Sequence, residues 1–219
     1  MPQTVIIICF ILGVLLHTVS YVQRFQGLHR RTYEMNPITP LVWLVNTLLA
    51  MVFLAATDNW WLFSAGVLSV IYTAVFFGWS VKVMREDKRR RWKIQPIDYF
   101  CFGLAILAAG LFYVTGNAAL GALIVFVGGM LGEVPQLRKD FVAPRTDSMR
   151  YYLVPALRYF ILTGTLTHVN FVGLSNSLFW GVFLVAEAGW IAFCQVRARV
   201  VKRRALAPET VTVSVDDRS

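Results

Sequence analysis

Seven long apolar stretches, separated by short charged or turn-forming segments, constrain this chain more than any other feature of its sequence. A bilayer core of about 30 Å requires about 20 apolar residues per helix, and each stretch approaches that length. Lipid cannot pair with backbone polar groups, so such stretches predict α-helices. The predicted spans are residues 4–22, 40–56, 60–81, 97–115, 118–137, 151–168 and 175–196.

The composition of the chain agrees with an integral, all-α membrane protein. Of its 219 residues, 57% are hydrophobic, against roughly 45–50% apolar residues in soluble domains. The first stretch has no basic segment before it, exceeds the ~7–15 apolar residues of a signal peptide, and leads into Arg24. We therefore expect it to be retained as a span.

The basic residues lie in four segments that alternate with the other connections. All 21 except Arg158 follow the first, third, fifth or seventh span, whereas the opposite connections contain only Asp58 as a charged residue. Because positive loops stay in the cytoplasm, the N-terminus is predicted outside and the C-terminus cytoplasmic, in a multi-pass protein of the plasma membrane or a bacterial inner membrane. This distribution explains the net charge of +9 without a nucleic-acid partner.

A short pattern occurs once in each half of the chain. A span ends beside a glutamine, an Arg-Thr-x-x-Met sequence follows at similar spacing, and a proline stands near the head of the next span. The matched positions are Gln23 and Gln136, Thr32 and Thr146, Met35 and Met149, Pro40 and Pro155, and, more weakly, Trp79 and Trp190.

This repeat predicts two three-helix units joined by a linker helix, an arrangement of three, one and three helices. Because one span lies between them, both units enter the membrane from the same side and are parallel, and a transporter site is expected at their interface. The predicted parts are residues 1–83 (first unit), 84–116 (basic loop and linker helix 4), 117–196 (second unit) and 197–219 (disordered cytoplasmic tail).

With the Pro135-Gln136 corner ahead of a basic loop, and with its partial copy at Gln23, the chain resembles the PQ-loop clan of seven-helix membrane proteins. This clan includes the SWEET sugar transporters, the lysosomal cystine and cationic amino-acid exporters and the KDEL receptor. The resemblance covers residues 1–196 and implies a transporter or facilitator of a small polar solute (a sugar, amino acid or vitamin) by alternating access.

The same resemblance implies a set of hinge residues. In SWEET-like members four prolines at the inner ends of the first two helices of each half act as hinges. Pro40, Pro135 and Pro155 match three of them, with Gln136 beside Pro135, whereas Val22 stands at the first of the four positions and receives no such role. Because proline lacks an N–H, Pro135 is also predicted to bend or end its helix.

Ionisable side chains inside the spans are candidates for a proton or ion-pair site. Such groups cost about 2.5–3.5 kcal/mol on insertion scales, so they face a cavity or one another. Glu133, Arg158 and Glu187 predict a ladder of alternating charge, either functional or a structural ion pair. His17 shares a helix face with Arg24 and is either a proton carrier or a partner in an interhelical hydrogen bond.

Trp43, Asn46, Tyr72 and Glu187 are the candidate substrate-binding residues. Aromatic walls cover rings and amides bind hydroxyls, although helix packing also explains these side chains. No metal-ligand spacing, phosphate loop or nucleophile–base pair occurs, so we expect no cofactor, no metal and no enzymatic activity. The expected partners are the lipid bilayer and a small-molecule substrate; a homo-oligomer stays open.

The sequence leaves two alternatives to this transporter. A seven-helix receptor or trafficking protein would bind a ligand without flux. A vitamin carrier of the nicotinamide-riboside type has a similar plan of helices.

Overall fold

The computed structural model of the chain describes residues 2–30, 32–33, 38–55, 59–86, 95–115, 117–142 and 149–206. Within these ranges every regular element is helical, as predicted. The helices are α1 (Gln3–His29), α2 (Ile38–Ala55), α3 (Trp60–Glu86), α4 (Pro96–Thr115), α5 (Ala118–Val142), α6 (Arg150–Thr163), α7 (Phe171–Leu174) and α8 (Trp180–Leu206). A π-helical turn, Ser175–Phe179, joins α7 to α8 without a break, so the described ranges contain seven helical rods.

Some predictions concern segments outside the described residues. These segments are Arg31 and residues 34–35 and 145–148 of the repeat, Asp58 between the second and third spans, residues 87–93 of the basic loop, and the tail from residue 207 onward.

Among the described residues, five helices are long and apolar enough to cross a membrane: Gln3–His29, Ile38–Ala55, Trp60–Glu86, Ala119–Val142 and Phe171–Lys202. The chain is therefore compatible with a multi-pass membrane protein. α6 is shorter than the predicted span of residues 151–168. Its 14 residues cover about 21 Å at 1.5 Å per residue. It ends before Gly164, and the side chain of Asn170 accepts a hydrogen bond from the Gly173 N–H at the start of α7.

Among the described helices, four run further than hydropathy predicts, including α3, which extends to Glu86, and α8, which extends to Leu206. α1 continues beyond Val22, and α5 passes through Pro135 to Val142, so the helix does not end at this proline. The proline ring removes the backbone donor that would bond to the Leu131 carbonyl. One residue further along, the Thr39 hydroxyl of α2 donates to the Gly132 carbonyl at 3.2 Å.

The helices pack in a closed circuit around the centre of the molecule. α3 packs against α1 and α2, α8 packs against α5 and α6, and the circuit is completed by α1 against α6 and α2 against α5. α4 packs on α5 and also contacts α2. The last two contacts of the circuit are close at glycines, because a Cβ at Gly13 would lie 2.6 Å from Leu162 and one at Gly132 would collide with Val42.

Candidate functional site

A cavity of about 110 Å³ lies inside this circuit of helices. An engineered cavity of about 150 Å³ holds benzene, so the scale is that of one small organic molecule. The wall contains residues of α1, α2, α3, α5, α6, the π-helical turn and α8. Its charged members are Arg24, Glu133 and Arg158, its aromatic members are Tyr21, Trp43, Tyr159 and Trp180, and its other polar members are His17, Ser20, Asn46, Thr47, Ser69, Thr73 and Asn176.

Three lining side chains contact one another in a row: Arg24, Trp43 and Glu133. We call them the indole cluster. The Arg24 guanidinium lies 4.7 Å from the centre of the Trp43 ring, and the Trp43 indole N–H donates to Glu133 Oε1. Arg24 also donates to the Tyr151 carbonyl at 3.0 Å. Arg24 and Glu133 attract each other electrostatically across the indole, so this cation and this acid are engaged within the protein.

Arg158, which we call the central arginine, also lines the cavity. It is 4% exposed, its Nη2 donates to Ser69 Oγ at 2.7 Å, and its guanidinium lies 4.6 Å from the centre of the Tyr159 ring. Among the residues that the structure describes, no carboxylate forms an ion pair with it. The central arginine is thus a buried cation without an ion-pair partner in the part of the chain that the structure describes.

His17 lies between aromatic rings beside the central arginine. Its ring packs edge-on to Tyr21 at 4.9 Å and to Tyr72 at 5.1 Å between ring centres. Tyr72 bonds to Thr18 at 2.9 Å and stacks on Tyr21. Tyr72, which was predicted to bind substrate, is therefore not a lining residue but packs against His17, which is one.

Several buried polar atoms of lining residues have no hydrogen-bond partner within the described part of the chain. They include a ring nitrogen, a hydroxyl, an amide nitrogen, a carboxylate oxygen and two guanidinium nitrogens. Each such atom costs about 1–3 kcal/mol if it stays unpaired, so the wall is suited to a polar molecule. The atoms are His17 Nε2, Ser20 Oγ, Asn46 Nδ2, Glu133 Oε2, Arg24 Nε and Arg158 Nε.

Glu187 occupies a different position from the one that the charge ladder predicts. It is buried on α8 outside the cavity wall, and neither of its carboxylate oxygens has a hydrogen-bond partner among the described residues. Its electrostatic neighbours are Glu133, Arg24 and Asp140. The predicted Arg158–Glu187 ion pair does not form, because the depth of a residue along a helix does not determine which face carries it.

The candidate hinge residues divide into two groups. Pro155 lines the cavity, whereas Pro40 and Pro135 lie on α2 and α5, whose contact includes the Thr39–Gly132 hydrogen bond. Gln136 is buried and donates to Asp140 at 3.1 Å. Of the residues predicted from sequence, the structure brings together at one cavity His17, Trp43, Asn46, Glu133, Pro155 and Arg158.

The lining residues that were not predicted as site residues include Tyr159, Asn176 and Trp180. Asn176 belongs to the π-helical turn and Trp180 follows it, and the ring of Trp180 stacks with Tyr159 at 6.4 Å between centres. A π-helical turn rotates the face of a helix and is frequent at functional sites. A pattern of 3.6-residue periodicity cannot detect this rotation.

Comparisons with protein-family models, with curated proteins and with solved structures give no match. The chemistry of the cavity is therefore inferred from its walls. Aromatic faces, a few convergent polar groups and fixed charges are the features of a small-molecule binding site.

Proposed function

We propose that this chain is a PQ-loop-like membrane transporter or facilitator of a small polar solute that works by alternating access. The observation that carries this proposal is the central cavity, in which buried polar atoms such as His17 Nε2 and Asn46 Nδ2 are unpaired within the described chain. Polar groups inside a membrane bundle usually face a substrate or ion pathway.

The order of helix packing supports two parallel three-helix units with α4 as the linker. In residues 1–83 the third helix packs against the first and second, and in residues 117–196 α8 packs in the same way against α5 and α6. Between the units, α1 packs on α6 and α2 packs on α5. Exchanging the two units leaves this set of contacts unchanged, as expected for repeats related by an axis along the membrane normal.

The lining of the cavity supports the same repeat. When the units are aligned on Gln23 with Gln136, Pro40 with Pro155 and Trp79 with Trp190, lining residues fall opposite lining residues. The corresponding pairs are Ser20 and Glu133, Trp43 and Arg158, Thr47 and Leu162, Ala65 and Asn176, Ser69 and Trp180, and Thr73 and Leu184.

The alternatives differ from the transporter in measurable ways. A receptor or trafficking protein would bind a ligand in the same cavity without moving it across the bilayer. A carrier of nicotinamide riboside would need to accept a cationic ring beside two buried arginines, Arg24 and Arg158. Like charges at a buried site disfavour such a substrate.

The basic ends of α1, α3, α5 and α8 support a cell-membrane protein with its N-terminus outside and its C-terminus in the cytoplasm. Two exposed positions test this orientation. A cysteine in place of Asn117, between α4 and α5, should react with an impermeant thiol reagent outside intact cells, whereas one in place of Lys82, near the end of α3, should not. The opposite labelling pattern contradicts both the orientation and the two-unit proposal.

Transport is tested by counterflow in proteoliposomes, with a panel of sugars, amino acids and vitamins, with and without a pH gradient. We expect one class of solute to be exchanged by the unmodified protein. Asn46→Ala should weaken this exchange because it removes a polar group from the wall, whereas Leu48→Ala, on the exposed face of the same helix, should not. Saturable binding without exchange would favour the receptor instead.

A further inference from the structure

Arg158 is a buried cation without an acid partner in the described part of the chain. A buried charge without a partner is strongly unfavourable, and among the described residues the central arginine contacts the Ser69 hydroxyl and the Tyr159 ring. Its Nε has no partner among the described residues. A negative charge in the cavity would remove this cost.

The other groups of the cavity also favour a negatively charged ligand. The charged lining residues are two arginines and one glutamate, and the glutamate already bonds to Trp43. The unpaired atoms include three obligate donors, on Arg24, Arg158 and Asn46, against one obligate acceptor on Glu133. The wall therefore favours a ligand that is rich in hydrogen-bond acceptors and carries negative charge.

We propose that the cavity binds a small organic anion and that Arg158 pairs with its carboxylate group. A guanidinium forms two parallel hydrogen bonds with a carboxylate, and Arg158 still has an unpaired Nε for this purpose. This inference deepens the proposed function, since it names the class of solute. It requires binding in the cavity and does not by itself require flux.

The aromatic and aliphatic lining residues indicate the shape and polarity of the rest of the ligand. Tyr159 and Trp180 form a stacked aromatic pair beside the central arginine, and Leu54, Leu62 and Leu162 line the cavity as apolar residues. Aromatic and aliphatic walls of this kind favour a compact apolar or ring-bearing body. A volume of about 110 Å³ restricts that body to the size of a small ring.

The test compares carboxylates with neutral amides of the same shape. Binding of lactate and benzoate, and of lactamide and benzamide, is measured by calorimetry and thermal shift on the full chain in neutral detergent. We expect the carboxylates to bind about tenfold to a hundredfold more tightly than the amides, since hydrogen bonds to charged groups contribute about 1.5–3 kcal/mol. Chloride at the same concentration should give no shift.

Three variants locate the effect at the central arginine. Arg158→Gln should abolish the preference for carboxylates, and Arg158→Lys should retain part of it, which separates a loss of charge from a loss of folding. Arg197→Gln, which changes an exposed arginine that lies against Phe141, should retain all of it.

Three results would overturn the proposal: equal binding of amides and carboxylates, an unchanged preference in Arg158→Gln, or no binding of either carboxylate. An equal effect of chloride would also overturn it, because the site would then be one for inorganic anions. If the carboxylates bind selectively but are not exchanged across proteoliposomes, the anion site stands and the transport proposal fails.

Discussion

The indole cluster and the central arginine place the same residue type in two different situations inside one cavity. Arg24 and Arg158 are 5% and 4% exposed. Arg24 donates to the Tyr151 carbonyl and stacks on the Trp43 indole, which in turn donates to Glu133. Arg158, in contrast, donates to the Ser69 hydroxyl and lies over the Tyr159 ring. Burial alone therefore does not distinguish an arginine that holds helices together from one that is available to a ligand.

The partners of each arginine make this distinction. Arg24 joins α1 to α2 and α6, and through Trp43 to α5, so its charge is compensated in the protein alone. Arg158 lacks an acid partner among the described residues, and in the proposed site the carboxylate group of a ligand would compensate its charge. A mutation at the first site should change stability, and a mutation at the second should change binding.

The largest effect on stability is expected for Arg24→Gln. This change removes the hydrogen bond to the Tyr151 carbonyl and leaves Glu133 buried without its cation, so the protein should lose about 3 kcal/mol of stability. Chemical or thermal unfolding in detergent measures the loss. The double variant Arg24→Gln with Glu133→Gln should recover part of it.

Arg158→Gln is the matched comparison for that loss, because it removes a buried charge that has no acid partner in the described chain. It should leave the melting temperature unchanged or raise it. An equal loss in Arg24→Gln and Arg158→Gln would break the comparison between the two sites.

A smaller effect is expected for Trp43→Phe. Phenylalanine keeps a ring beneath the Arg24 guanidinium but removes the N–H that donates to Glu133, which should cost about 1–3 kcal/mol. Trp180→Phe, at a tryptophan with ring contacts to Phe126 and Phe183, is the control and should cost less. The same unfolding measurement compares the two variants. Equal costs would mean that the hydrogen bond from Trp43 to Glu133 does not contribute to stability.

These two sites also show what the sequence can predict. The helices themselves follow from hydropathy, because about 20 apolar residues admit few other structures in lipid. Their ends were predicted less well, since Arg24, Arg138 and Lys139 were taken to end their spans. Partners on other helices keep two of them helical, as Arg24 bonds to Tyr151 and Arg138 pairs with Asp98 at 2.8 Å.

Polar side chains inside the predicted spans could be selected from the sequence, but their contacts could not. His17, Trp43, Asn46, Glu133 and Arg158 were selected because polar groups inside spans need a reason, and all of them line one cavity. Their pairing depends on helix rotation, which a single sequence does not contain.

At the contact between α2 and α5, a still smaller effect tests the hydrogen bond between the helices. Thr39→Val removes the hydroxyl that donates to the Gly132 carbonyl and should cost about 1 kcal/mol. The N–H that Pro135→Ala restores would bond to the Leu131 carbonyl and not to Gly132, so the effects of the two changes on the free energy of unfolding should add, and a double-mutant cycle measures this. A coupling of more than about 0.5 kcal/mol would show that the proline and the Thr39 hydroxyl depend on each other.

Pro135→Ala also tests the proposed hinge. The folded protein should persist because the substitution restores a helical donor, while exchange in proteoliposomes should slow. Unchanged exchange would make Pro135 a feature of packing alone.

The smallest effect is expected for Glu187→Gln. Since neither carboxylate oxygen of Glu187 has a hydrogen-bond partner among the described residues, removing its buried charge should leave the free energy of unfolding unchanged or raise it slightly. Glu133→Gln, which disturbs the indole cluster, should cost more in the same assay. A large loss in Glu187→Gln alone would indicate an ion pair that the geometry lacks.

The most direct test of alternating access does not require the solute to be known. With the three native cysteines replaced, Thr47→Cys places a thiol on the cavity wall, and Leu48→Cys places one on the exposed outer face of the same helix. A small impermeant thiol reagent is applied to right-side-out and to inside-out vesicles. Alternating access predicts that the thiol at position 47 is labelled from both sides and the one at position 48 from neither; labelling of position 47 from one side only, or from neither, would contradict it.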